Sequence, residues 1–419
     1  MDIEQDYRQR TERSAELQQR ARSSITGGST RSVGWHRPYP VVFARGEGPR
    51  LIDVDGHDYI DYLCNGLSLI HGHAYEPVRI AVEAALQRGS AWPQATEDQI
   101  EFAELIVDRL PHADLVRFAN TGTEAAMLAV KLARFHTGRP LLLKAQHAYH
   151  GSYDDLEAGL GDKGEIRDRV LLARFGDIEG FTSTMRKYAD EIACVILETV
   201  MFTGVVVPPP EGFLQAVQAT CEEIGALFII DDCLMLRLAH GGSQEKFGLR
   251  PDLTVMGKFV GGGLPVGIVA GTEEVMSRLD PYSDHPMYHG GSFNGNLLGV
   301  TAGYAAMVEL TEARIVQMNA GVTRLAGELP AIAAKHAVPL SISSFGSVMG
   351  IYATETVPVD AASRSNNDVW RLMHLALMNN GVYVGNEGEM ATTTLTDDAL
   401  IDQTLDGFDR AFQELSAQI

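Results

Sequence analysis

Positive charge is what this sequence has least of. Its 34 Lys and Arg face 55 Asp and Glu, which leaves a formal net charge of −21. A nucleic-acid partner needs a basic face, and an anionic membrane surface attracts one, so neither partner is expected. Cysteine is scarce as well. Cys64, Cys194, Cys221 and Cys233 show no C-x-x-C spacing, so neither a disulfide framework nor a metal cluster is expected. Long apolar runs are missing too. The strongest, ACVIL and ALFII, have the length of a strand and fall well short of a membrane span. The opening stretch MDIEQDYRQRTERSAELQQRARSS alternates charges and has no apolar h-region. No secretory signal is expected, and the expected location is the cytoplasm.

What is present points to a globular protein of two domains, because 419 residues exceed the size at which a single core keeps growing. The first thirty residues read as a polar helix and a Gly-Ser-Thr loop. A hairpin-like stretch follows, with Gly46, Gly48 and Gly56 as turn signals. From about residue 75, short apolar strands alternate with amphipathic helices: LVRFA, PLLLKA, ACVILE, ALFIID and LTVMG. Continuous apolar strands between helices predict an α/β domain with a mostly parallel sheet. After residue 305 the pattern becomes a smaller α+β unit, with long helices over 308–337 and 366–380. The expected organisation is an N-terminal segment over 1–60 that joins the small domain and the active-site entrance, a large domain over 61–305, and a small domain over 306–419.

Ligands in such sheets bind beyond the carboxyl ends of the strands. Asn120, Glu198, Asp231 and Lys258 fall at those ends. Alone, Lys258 reads as a surface lysine; beside suitable neighbours it is a candidate for Schiff-base chemistry. Thr121-Gly122-Thr123 lies between a strand and a helix, where backbone N–H groups cradle a phosphate or where Thr121 simply caps the helix. Asp231 at the end of ALFII is a costly carboxylate unless paired, either with a pyridinium N–H or within a network that includes Asp232. Tyr149 in AYHG is placed to stack on a flat ring or to anchor its loop. His150 carries only a possible loop hydrogen bond.

NTGTEAAMLAVKLARFHTGR, the AYHG loop, EEIGALFIIDD and KFGLRPDLTVMGKFVGGGLPVG together resemble the class III (subgroup II) aminotransferases. Within that family the chain looks most like glutamate-1-semialdehyde aminomutase and the β-amino acid transaminases. The resemblance spans roughly residues 25 to 410. It implies PLP fold type I with a seven-stranded sheet, pyridoxal 5'-phosphate, a small-molecule amino donor with a keto acceptor, and a homodimer with shared sites. It implies that Lys258 is the Schiff-base lysine and general base, that Asp231 pairs with the pyridine nitrogen, and that Gly122 and Thr123 hold phosphate. Tyr149 then stacks on the ring, with Glu198 and Cys233 beside it. Ser292 matches the family's usual Thr, which donates to the phosphate of the neighbouring subunit.

Departures from the family pattern bear on substrate. Arg31 matches the arginine that binds the substrate carboxylate in β-amino acid transaminases, where its bidentate geometry suits the task. Glu387 stands where those enzymes have an arginine for the α-carboxylate of a dicarboxylate such as 2-oxoglutarate, with Arg237 as a possible substitute. Leu234, Met235 and Leu236 suggest an apolar wall. A transaminase for a carboxylate-bearing amino compound such as a β-amino acid is the expectation, with an aminomutase as the alternative. A non-catalytic binding protein is the third reading.

Overall fold

The computed structural model describes residues 2–31, 33–160, 168–203, 205–360, 363 and 368–419. The chain divides into two compact units. One comprises Met1–Tyr75, Gly204–Val206 and Val316–Ile419, and the other Glu76–Thr203 and Val207–Ile315.

The second unit is built on a seven-stranded sheet. Its order is Leu115–Ala119, Gly267–Gly271, Leu253–Met256, Leu227–Asp231, Ile192–Glu198, Leu141–Ala145 and Val170–Ala173. Gly267–Gly271 runs antiparallel to both neighbours, and the remaining pairings are parallel. This is the mostly parallel α/β sheet that the strand composition predicts. All seven residues of Ile192–Glu198 are buried because both faces are covered. Ala193 and Ile196 pack on one side with Ala125, Ala129 and Leu132 of the helix Gly122–Thr137. Ile192, Val195 and Leu197 pack on the other with Phe213 and Val217 of the helix Phe213–Ile224.

The first unit holds two smaller sheets and a separate core. One sheet joins Phe43–Glu47, Arg50–Asp53, Asp58–Asp61 and Val382–Tyr383; the other joins Ser341–Phe345, Val348–Tyr352 and Glu389–Ala391. The helix Asp398–Ser416 starts at Asp397, whose carboxylate accepts from the Leu400 amide, and it buries Leu400, Ile401, Leu405, Phe408 and Phe412. That spacing is the apolar stripe of a core-facing helix. The single N-terminal helix expected from sequence is two helices, Ile3–Arg10 and Glu12–Ala21. Thr11 leaves helical geometry between them, and its hydroxyl donates to the Tyr7 carbonyl at 2.6 Å. The helix expected over 308–337 is Glu312–Lys335, and residues 308 and 309 instead close the preceding helix Leu297–Glu309. No helix among the described residues is long and apolar enough to cross a membrane.

Candidate active site

Parallel pairing places Asp231 directly opposite Glu198 at the carboxyl ends of adjacent strands. Asp231 is almost fully buried. His150 reaches it from the loop after Leu141–Ala145, with Nδ1 2.8 Å from Asp231 Oδ2. The other oxygen, Oδ1, accepts from the Cys233 amide at 3.1 Å. Burial pulls the Asp231 pKa up, but the His150 hydrogen bond and the charge of Lys258 outweigh it and hold the carboxyl below its ordinary range. Burial drives His150 the other way, towards neutrality, aided by the charges of Lys144 and Lys258. The pair is therefore a neutral imidazole donating Nδ1–H to a fixed anion. Sequence reading left His150 without a role, and the structure gives it this one.

Glu198 behaves as the opposite case. Its Oε2 accepts from the Phe202 amide at 3.0 Å, and its Oε1 is buried with no partner among the described residues. Burial and the neighbouring Asp231 charge push its pKa up to about 8. Two adjacent carboxyls, one anionic and one protonated, is the outcome expected when like charges cannot both be solvated. A pH dependence follows. Between about 4.5 and about 8 the folded chain keeps a proton that the unfolded chain releases, so stability falls as pH rises across that window. Glu198→Gln should flatten this slope. Urea midpoints of the apoprotein at pH 5 and pH 8 measure it, and an unchanged pH 5-to-8 drop in the variant would contradict the reading.

Lys258 follows the strand Leu253–Met256 and Gly257, partly exposed, with φ of 55°. A non-glycine residue in left-handed geometry is held there by its surroundings, and such positions cluster at functional sites. The start of the helix Gly122–Thr137 packs against this strand end. A Cβ on Gly257 would lie 3.0 Å from the Gly122 Cα, and one on Gly122 would lie 2.9 Å from Cys233 Sγ. Cys233 therefore fills the seam between them, a small buried hydrophobe whose thiol is held protonated by burial.

Thr121 caps this helix through the Glu124 amide at 3.1 Å, so the capping alternative is realised. Capping does not compete with anion binding. The amides of Gly122 and Thr123 precede any intrahelical acceptor and stay available at the positive end of a helix of 16 residues. Gly151, with φ of 127°, closes over Thr123, where a Cβ would lie 2.6 Å from Oγ1. Tyr149 is 41% exposed and its hydroxyl pairs with Ser152 Oγ at 3.0 Å, so its ring presents an open face. Ser292 is exposed. Two residues on, Asn294 Oδ1 accepts from Asn120 Nδ2 at 2.9 Å, which ties that segment to the residue before the cradle.

These groups suit an anionic, ring-bearing cofactor. A dianion fits the free amides at the helix start, a ring N–H fits the anionic Asp231, and an aldehyde carbon fits the amine of Lys258.

The profile of the family described as aminotransferase class-III matches residues 32–412. The chain belongs to the class-III aminotransferases. It is 35% identical over 407 residues to glutamate-1-semialdehyde 2,1-aminomutase 2 of Bacillus mycoides (strain KBAB4), covering 92% of this chain and 93% of that protein. An omega-transaminase from Sphaerobacter thermophilus superposes with a TM-score of 0.91 at 33% identity, over 96% and 97% of the two chains. A β-phenylalanine aminotransferase from Variovorax paradoxus gives 0.91 at 28% identity, over 97% and 95%. The fold is PLP fold type I, the cofactor is pyridoxal 5'-phosphate, and the enzyme is a PLP-dependent aminotransferase.

Two expectations about substrate need revision in this aminotransferase. Met235 and Leu236 are fully buried and Leu234 nearly so, because they start the tight turn Met235–Leu238; they are core and form no open wall. Arg237 is only 1% exposed, so it is not offered to an incoming carboxylate in place of the missing arginine.

In the first unit, Arg31 is exposed and its Nη2 donates to Asn65 Oδ1 at 2.7 Å. Among the described residues no carboxylate pairs with it, so its charge is held by a neutral amide. Glu387 is half-buried, and its amide donates to Glu389 Oε2 at 3.0 Å.

Proposed function

We propose that this enzyme takes the amino group from a carboxylate-bearing amine, of the β-amino acid type, and passes it to a keto acceptor by a ping-pong cycle. The observation that carries the reading is the Asp231–His150 pair at the strand ends, in the same unit as Lys258 and the 121–123 cradle. Lys258 and Asp231 are the catalytic residues. The cofactor would be held by Lys258, by Asp231 at its ring nitrogen, by Gly122 and Thr123 at its phosphate, and by Tyr149, Glu198 and Cys233 around its ring. Pyridoxal phosphate supplies an electron sink for the bond being broken. The amine of Lys258, free while a donor occupies the site, would remove the proton from the carbon bearing nitrogen and deliver it across that nitrogen, two atoms away. Asp231 keeps a positive charge on the ring side of that transfer, and His150 keeps Asp231 anionic and oriented.

Arg31 anchors the carboxylate, in keeping with its exposed guanidinium, which pairs with no carboxylate among the described residues. Arg31→Ala should raise KM for the amino donor by roughly 10- to 100-fold and leave kcat within a few-fold, the signature of lost uniform binding. Steady-state kinetics with β-phenylalanine as the probe measures this. Equal KM in both proteins would remove Arg31 from the site.

The aminomutase reading draws on two observations: the 35%-identical relative named as one, and Glu387, which would repel the distal carboxylate of an acceptor such as 2-oxoglutarate. A single-turnover assay without acceptor decides. A transaminase releases one equivalent of keto product from the donor. A mutase given glutamate-1-semialdehyde returns the isomerised amino acid and releases none.

The assembly is a homodimer with shared sites, in which Ser292 serves the neighbouring subunit's phosphate. In the segment 282–293 that contains Ser292, Tyr282, Tyr288 and Phe293 are 96%, 82% and 60% exposed, and bare aromatics favour association. Light scattering at micromolar concentration should return twice the 45.6 kDa chain mass. A monomer carrying full activity would overturn the shared site.

A further inference from the structure

The strand Leu141–Ala145 contains a residue that the sheet alone does not explain. All five positions are buried, four of them apolar, and the fifth is Lys144, fully enclosed. A buried ammonium requires partners, and among the described residues this one has three backbone carbonyls. Its Nζ donates to the carbonyls of Ala148 at 2.7 Å, Leu156 at 2.5 Å and Ala158 at 2.9 Å. A neutral amine has only two N–H groups, so the three bonds are satisfied only by the charged form.

These carbonyls belong to the two ends of one loop. Ala148 immediately precedes Tyr149 and His150, while Leu156 and Ala158 lie at its far side, around the short helix Asp154–Glu157. The loop has little regular structure of its own. Its other ties among the described residues include the Asp155–Arg134 ion pair at 2.7 Å, the Ser152 amide on Thr123 Oγ1 at 3.3 Å, and His150 on Asp231. Lys144 is thus an internal cross-link that pins the loop to the sheet through its backbone. It acts a few residues from Tyr149, whose ring is open, and from His150, which backs Asp231. After burial, its charge also helps keep His150 neutral, which suits a donor to an anionic Asp231.

We propose that Lys144 is a positioning residue that fixes the loop carrying Tyr149 and His150, and through them the orientation of the cofactor ring. This rests on the reading that Tyr149 and His150 serve the cofactor. Lys144→Met keeps the length of the side chain and removes all three donors, stranding three carbonyls. Lys144→Gln keeps two N–H groups and serves if the Met variant does not fold.

The test uses the full-length chain, apo and reconstituted with pyridoxal phosphate. Amides of residues 147–158 should exchange faster in the apo variant. The Kd for pyridoxal phosphate should rise at least about tenfold. Circular dichroism in the visible cofactor band, per cofactor bound, should fall because the ring is no longer held in one orientation. A role confined to stability would lower the melting temperature and leave that last signal unchanged. Wild-type affinity and dichroism in the folded variant overturn the proposal. Tyr149→Ala, measured alongside, separates the two failures. Weakened binding there leaves Tyr149 against the ring and overturns only Lys144, whereas wild-type binding there overturns both.

Discussion

Lys258→Ala is expected to reduce turnover by at least about 10⁴-fold if, as proposed, one amine both holds the cofactor and moves the proton. The two losses can be told apart. Borohydride treatment of the wild-type enzyme should fix the cofactor irreversibly, and peptide mapping should find its mass on the peptide containing Lys258. The variant should take up the cofactor and release it on dialysis after the same treatment, since the 121–123 cradle and Asp231 remain. Folding should be little affected. The partly exposed side chain contributes little to the core, and an alanine at φ of 55° is no more strained than the lysine it replaces. Added methylamine should restore part of the proton transfer, because a free amine can enter the space left by the side chain. Turnover near wild type would remove Lys258 from the chemistry, and labelling at another lysine would say where the cofactor is held.

Much of this site was legible because the sheet imposes a simple grammar. An apolar run buried on both faces ends where its residues leave the sheet, so a charged residue closing such a run must either find a partner or serve a ligand. ACVILE and ALFIID both show this, and their last residues lie opposite each other in the structure. Lys258 and the Thr121-Gly122-Thr123 turn were placed by the same logic. What escaped was the contact that no local pattern encodes. His150 lies 81 residues from Asp231, and nothing in AYHG says that its ring turns inward while Tyr149 stays open. Lys144 sat in plain view inside PLLLKA. A lysine closing an apolar strand was itself the signal, unused because the partners are backbone carbonyls invisible to side-chain pattern. Leu234, Met235 and Leu236 erred in the other direction. Composition says that they are apolar, but only the turn at Met235–Leu238 decides that they face the core. Arg31 and Glu387, proposed to meet the substrate, sit on irregular segments, where periodicity offers no guide to orientation.

Asp231→Asn should lower kcat by roughly 10³-fold, about 4 kcal/mol of transition-state stabilisation, with the fold largely kept. The amide is isosteric and can still accept from His150 Nδ1–H, but its NH2 then faces the Cys233 amide, so the charge is removed together with that one weaker hydrogen bond. The charge is what keeps a ring nitrogen protonated at neutral pH, and its loss should appear in kcat more than in cofactor affinity. His150→Ala probes the same anion from behind. Without its largest favourable contact, burial dominates and the Asp231 pKa rises. The sign is definite: activity that needs the Asp231 anion persists above that pKa and disappears as pH falls through it. The acid limb of kcat/KM should therefore move to higher pH in His150→Ala, and activity near the alkaline plateau should fall much less than in Asp231→Asn. If the acid limb stays where it is, His150 does not tune Asp231, and the 2.8 Å contact is packing alone.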